Sequence, residues 1–168
     1  RLITHLSKIF LDGAILSALA SLYIFITLWI NPRLWLQDYP EDIQAQVPPK
    51  TKREKWLSLA IGIPFLILLI TVPFLSTLGL KRQYGSEVSL TALAIHAFGV
   101  GFIFNVVDWL VLDWLLFCTI TPQFLVIPGT EGVEGYQKDY AYHFRGFLIG
   151  TVISGVSGLV IGAIVTLL

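Results

Sequence analysis

The sequence predicts an all-α fold: an integral-membrane four-helix bundle with two long connections on the cytoplasmic side. Three observations carry this. Only 13% of the 168 residues are charged, against about 25% in soluble domains. The apolar runs 15–30, 56–80 and 88–107 contain no acidic or basic residue, and 146–168 is a fourth such run. Each is near or beyond the roughly 18 residues at which an apolar stretch reads as a membrane span. Finally, 11 Lys and Arg balance 11 Asp and Glu, which leaves no basic face for nucleic acid. These features exclude a soluble enzyme, a nucleic-acid binder and a disordered tail.

The first span is expected over about 9–30, with helix reaching back towards Leu2. Asn31-Pro32 ends it, because the residue before proline is pushed out of α geometry. Without an initiator Met, the chain is expected to begin at an interior point or after processing, and residues 1–8 are too short and polar for a signal-peptide core. The polar segment 32–55 carries Pro40, Pro48, Pro49 and a basic cluster. Its Leu34, Trp35, Leu36 and Tyr39 are expected against lipid headgroups, where aromatic rings are favoured. The second span, about 56–78, contains Pro64 and Pro73, each of which bends a helix and frees a carbonyl for a neighbour to satisfy. A short link, 79–87, makes it antiparallel to the third.

The third apolar segment, 88–120, is longer than a roughly 30 Å hydrocarbon core requires. It must tilt, break near Gly99–Gly101, or emerge into an interfacial section. A 25-residue connection follows, with Phe124, Leu125, Val126 and Ile127 as a brief extended piece and Thr130 or Glu131 as a cap after the Pro128-Gly129 turn. The last span is 146–168. A small residue recurs in it every fourth position: Gly146, Gly150, Ser154, Gly158, Gly162 and Thr166. Such stripes let helix backbones approach closely in lipid. Gly13, Ser17 and Ser21 of the first helix are the expected partner.

The candidate chemistry lies in the third span, where ionisable residues are costly and mark partners, wet cavities or ion paths. At about 100° per residue, Asn105 and Asp108 sit about 60° apart and Asp113 about 80° from Asn105 on the other side, so the three share one broad face. His96 points nearly opposite. Asp108 and Asp113 read as interfacial anchors paired with basic residues of the connections, as part of a metal or catalytic site with His143 and loop carboxylates, or, with Asn105, as a proton or cation path. No metal ligand set is assigned. His96 reads as a neutral imidazole bonded to a carbonyl or to a Ser/Thr of another helix, and alternatively as an axial ligand of a haem or chlorophyll-type pigment. In the third connection, Glu131, Asp139 and His143 are loop candidates. Asp139 and His143, four apart, would share a helix face. Cys118 reads as a small hydrophobe. HExxH, GxSxG, P-loop and paired-Cys patterns are absent from the sequence.

Two segments, Val111-Leu112-Asp113-Trp114-Leu115-Leu116-Phe117 and Ile127-Pro128-Gly129-Thr130-Glu131-Gly132 leading to Tyr142-His143-Phe144-Arg145-Gly146, resemble a group of small uncharacterised bacterial polytopic membrane proteins. That resemblance covers roughly the C-terminal half and carries no activity. It implies that the polar segment after the third helix is part of the design, and suits a bacterial cytoplasmic membrane. The expected function is a structural or accessory subunit, non-enzymatic, within a larger membrane complex, with lipid and other membrane subunits as partners. The alternative is an ion or proton translocator or membrane enzyme using the polar face of the third helix.

Orientation follows from charge. The first and third connections hold Arg33, Lys50, Lys52, Arg53, Lys55, Lys138 and Arg145, against Arg1, Lys8, Lys81 and Arg82 on the other side. The excess places both long connections in the cytoplasm and both termini outside. A cysteine introduced at Lys52 should react with membrane-impermeant maleimide only after permeabilisation; labelling from outside in intact cells would reverse the orientation.

Overall fold

The computed structural model describes residues 2–168, with side chains from residue 5 onward except that of Ser86. Arg1, counted above among the N-terminal cations, lies outside the described residues. The fold is an all-α four-helix bundle. Its long helices are α1 (Leu2–Ile30), α3 (Lys52–Tyr84), α4 (Leu90–Val107) and α5 (Tyr140–Leu167), with the short α2 (Glu41–Gln46) in the first long connection. Among the described residues, four stretches are long and apolar enough to cross a membrane: His5–Ile30, Lys52–Tyr84, Leu90–Ile120 and Tyr140–Leu167.

Local sequence explains the helix ends. Asn31 caps a 3-10 turn, Pro32–Asp38, by accepting from the Arg33 amide. Thr51 and Glu54 form a reciprocal capping box that starts α3, satisfying two amides that the first helical turn leaves unbonded. That start lies four residues earlier than the apolar run, because the capping box and the Arg33–Glu54 ion pair (2.7 Å) hold the polar turn in place. Both prolines of α3 lie inside a continuous helix. Tyr23 of α1 donates to the Ile61 carbonyl beside the first of them (2.7 Å).

The third segment differs from the sequence expectation in one respect. No break occurs at Gly99–Gly101; α4 runs through them, because both glycines admit neighbours. A Cβ on Gly99 would lie 2.9 Å from Ile9 Cγ2, and one on Gly101 would lie 3.7 Å from Ser154 Oγ. The change comes later. From Asp108 to Ile120 the chain is π-helical, and Thr121, at a left-handed φ of 46°, closes it with an amide bond back to the Leu116 carbonyl (2.8 Å).

Helix α4 is the hub of the bundle. The small-residue stripe of α5 faces α4 rather than α1. An added Cβ would come within 2.9 Å of the Ala94 carbonyl at Gly158 and within 2.8 Å of the Ala94 amide at Gly162. Gly13 of α1 likewise meets Ile103 of α4. The expected α1–α5 pairing is therefore corrected: both small faces close on the central helix, which carries the polar residues that most need cover. Gly146 has no neighbour within 4 Å of a built Cβ.

The two long connections fold into a common cap at one end. Leu36, Tyr39 and Ile43 from the first pack with Leu125, Ile127 and Tyr136 from the second, over Leu28, Phe117 and Cys118. Leu36 and Tyr39 are thus buried in the cap instead of lying against headgroups, with Trp35 packed against its edge, since the second connection supplies an apolar surface closer to hand; Leu34 is buried as well. The cap is cross-tied by Tyr39 donating to the Leu125 carbonyl (2.9 Å) and by the Gly135 amide donating to Asp42 (2.7 Å). The extended piece expected at 124–127 is instead a 3-10 turn, Gln123–Leu125, with Tyr136 Oη taking the Ile127 amide.

A bulky residue at a closed α4–α5 contact should cost about 1–3 kcal/mol. Gly158→Leu is therefore expected to lower the thermal midpoint in detergent, while Gly155→Leu, where a Cβ meets nothing within 4 Å, should leave it unchanged. Equal midpoints for the two would contradict this packing.

Candidate functional site

A π-helix closes i→i+5 bonds, and its wider turn brings residues five apart closer around the axis. On α geometry Asp108 and Asp113 would lie about 140° apart; at about 4.4 residues per π turn they are separated by only about 50°. Cys118 lies about a further 50° beyond Asp113. The adjacent face shows the same register: Trp109 and Trp114 meet edge to face at 4.7 Å between ring centroids, and Thr119 Oγ1 bonds the Trp114 carbonyl (2.7 Å).

The aligned carboxylates face α5. Asp113 Oδ1 lies 3.2 Å from His143 Nδ1. His143 is 5% exposed, and its Nε2 has no hydrogen-bond partner. The Cys118 thiol lies beside the ring. His143 sits in the first turns of α5, whose start is capped by Asp139 accepting from the Tyr142 amide (3.2 Å). Asp139 is thus outside the helical run, its carboxylate occupied by capping, and the expected Asp139–His143 pair does not form. Glu131 is exposed and accepts from the Gly129 amide within its own turn (2.9 Å). Capping of the following segment falls to Asp139; Thr130 instead bonds the Ile127 carbonyl (2.7 Å).

Asp108, Asp113 and His143 line a cavity of about 590 Å³ in the cap-side half of the bundle. Asp38, Glu41 and Tyr142 join them at the cap. Below, the wall is Ile24 of α1, Phe65 and Leu69 of α3, Phe104 of α4 and Ile149 of α5. Sequence reasoning placed Asp38 and Glu41 of the first connection on the same side as His143, and both line this cavity; it missed Phe65 and Leu69, whose place depends on helix crossing. Cys118 is buried and does not line the cavity. Among the described residues, no three or more His, Cys, Asp or Glu are grouped to hold a metal ion.

The other intramembrane candidates lie elsewhere. Asn105 is turned to α5, where its Nδ2 donates to the Phe147 carbonyl (3.0 Å) and to Thr151 Oγ1 (3.1 Å). It does not share the cavity with Asp108, and Gly150 is the residue that makes room for it, since a Cβ there would collide with its amide. His96 is 1% exposed and lies in a network towards the far end of the bundle. Lys8 donates to Asp12 (2.6 Å), Ser76 donates to the same carboxylate (2.5 Å), and Ser76 Oγ meets His96 Nε2 (2.7 Å). With the Ser76 proton on Asp12, the imidazole carries its proton on Nε2. No family model, curated protein or solved structure matches this chain.

Electrostatics at the cap are set by desolvation. It raises the Asp38 carboxyl above its ordinary range, opposed by Gln37 and Lys50 and reinforced by the charge of Asp113. A carboxyl that holds its proton more tightly in the folded chain costs stability once ionised, and that cost is relieved as pH falls through the folded-state value. Asp38→Asn should therefore raise the thermal midpoint at about pH 8, with the advantage shrinking as pH approaches about 4. A variant less stable than wild type at both pH values would contradict the sign.

Proposed function

We propose that the protein is a small membrane translocator of protons or cations, working through Asp108, Asp113 and His143 with the capped end towards the cytoplasm. One observation carries the reading: two carboxylates from the π-helical run and a histidine with an open ring nitrogen line the same internal cavity. Carboxylates inside a span are costly unless they serve a partner or a path, and here they face a space instead of lipid. A carboxylate beside an imidazole can pass one proton between them with little change in net charge. On the far side, Leu16, Ala20, Val100 and Phe104 form an apolar plug, and beyond it lies the Asp12–Ser76–His96 network. A translocator needs such a barrier between two polar half-sites. Passage would then require the helices around the plug to shift.

A second reading is that of an accessory subunit in a larger membrane complex. It draws on α3, the least buried of the four apolar helices, whose outer side exposes Leu57, Leu59, Ile63, Leu66, Ile67 and Ile70. Lipid or a neighbouring subunit would cover that flank.

Reconstitution into liposomes with an internal pH dye separates the two. Under an imposed potential the translocator reading expects proton or cation flux that falls roughly tenfold or more in Asp108→Asn, with the thermal midpoint retained. Flux at the level of empty liposomes, or equal flux from the variant, would sink it; unaltered complex assembly by the variant would then favour the subunit.

A further inference from the structure

We propose that the cavity binds a single-chain amphiphile with a protonated amine head, the ammonium against Asp108 and Asp113 and the chain against the apolar wall below. The inference rests on reading this cavity as the functional site, and it names the class of ligand. Three features argue for it. The first is the sign of the polar end. Asp38, Glu41, Asp108 and Asp113 line it, with Arg145 as the one permanent cation. Ionised carboxylates only accept hydrogen bonds, so a ligand there must bring donors, and an ammonium brings three. A phosphate or carboxylate head would meet repulsion.

The second is the shape of the remainder. Phe104 lies one helical turn deeper than Asp108, and Ile24 lies six residues, about 9 Å, inside the end of α1. With Phe65, Leu69 and Ile149 these make a continuous apolar wall. A proton or a hydrated inorganic cation gains nothing from such a wall, whereas an alkyl chain gains about 0.8 kcal/mol per buried methylene when it comes from water. At about 590 Å³ the space falls within the range of small-molecule sites. Third, Trp35, Tyr39 and Tyr142 border the polar end, and aromatic faces attract a desolvated ammonium.

Dodecylamine is the probe, with dodecanol and dodecanoate as matched chains carrying a neutral and an anionic head. Binding is measured by equilibrium dialysis against the full chain in nanodiscs, with empty nanodiscs subtracted. The expected result is saturable one-to-one binding of the amine, tighter than either control by about tenfold or more. Asp108→Asn with Asp113→Asn should weaken it by a similar factor. Leu69→Trp, which fills the deep end without touching a charge, should weaken dodecylamine more than butylamine, and it keeps the test open if the double variant fails to fold. Saturation by dodecylamine added from water identifies a solute ligand. Saturation only by octadecylamine preloaded in the nanodisc lipid identifies one resident in the bilayer. Non-saturable uptake, equal binding of amine and alcohol, or indifference to both sets of substitutions would overturn the proposal. Proton flux in liposomes without amine binding overturns this inference alone, and saturable amine binding without flux overturns the translocator reading alone.

Discussion

The arrangement of the cap-side half depends on the backbone register of one 13-residue stretch, the π-helical run Asp108–Ile120. π-Helices are rare, occur mostly as single turns and recur at functional sites. Here the wider turn brings Asp108 and Asp113 from about 140° to about 50° apart around the helix axis and sets Trp109 edge to face against Trp114. An α-helical continuation would spread the two carboxylates about 140° apart, and one that met lipid would cost about 2.5–3.5 kcal/mol. The aromatic cluster holds the register from outside. Trp109 stacks on Phe147 at 4.3 Å between ring centroids, and Trp114 Nε1 donates to the Tyr140 carbonyl (3.2 Å).

The bundle serves that stretch by keeping α4 at its centre. Glycines allow backbone approach where α4 needs cover, and Gly150 leaves room for the Asn105 side chain, which ties α4 to α5 by donating to the Phe147 carbonyl and Thr151 Oγ1. The cap then closes the end. Tyr39 ties it to the second connection and Tyr142 ties it to α5, donating to the Tyr39 carbonyl (3.1 Å). Desolvation raises the Tyr39 phenol above its ordinary range, so it stays a neutral donor. The cap-side cavity and the Asp12–Ser76–His96 network lie on opposite sides of the apolar cluster Leu16, Ala20, Val100 and Phe104.

Much of the fold was legible in the sequence, because uncharged apolar runs of span length have few alternatives. The four helices and the small-residue face of α5 follow from composition and spacing. Partner choice did not follow: Gly158 fits any close-packed neighbour, and only the three-dimensional hub shows that Ala94 is the one it meets. Asp108 and Asp113 were legible as a costly pair on one broad face; Asn105, placed with them by a 100° wheel, is the one that turns to α5 instead, and the switch to π geometry that narrows the angle between the carboxylates has no local signature at Val107-Asp108. His143 was read both with Asp113 and with Asp139; the first pairing forms, while the second does not, because α5 begins only at Tyr140 and Asp139 is spent on its cap. Phe65 and Leu69 were hidden among the apolar residues of α3, because their place at the cavity depends on how the helices cross.

The register of the π-helical run is open to direct measurement in a lipid bilayer. Solid-state NMR on uniformly labelled protein can detect through-hydrogen-bond couplings between a carbonyl carbon and the amide nitrogen it binds. The account requires the Asp108 carbonyl to couple to the Asp113 amide, and the Leu116 carbonyl to the Thr121 amide. Couplings to Leu112 and Ile120 instead would show an ordinary α-helix, return Asp108 and Asp113 to separate faces, and remove the basis of the shared cavity.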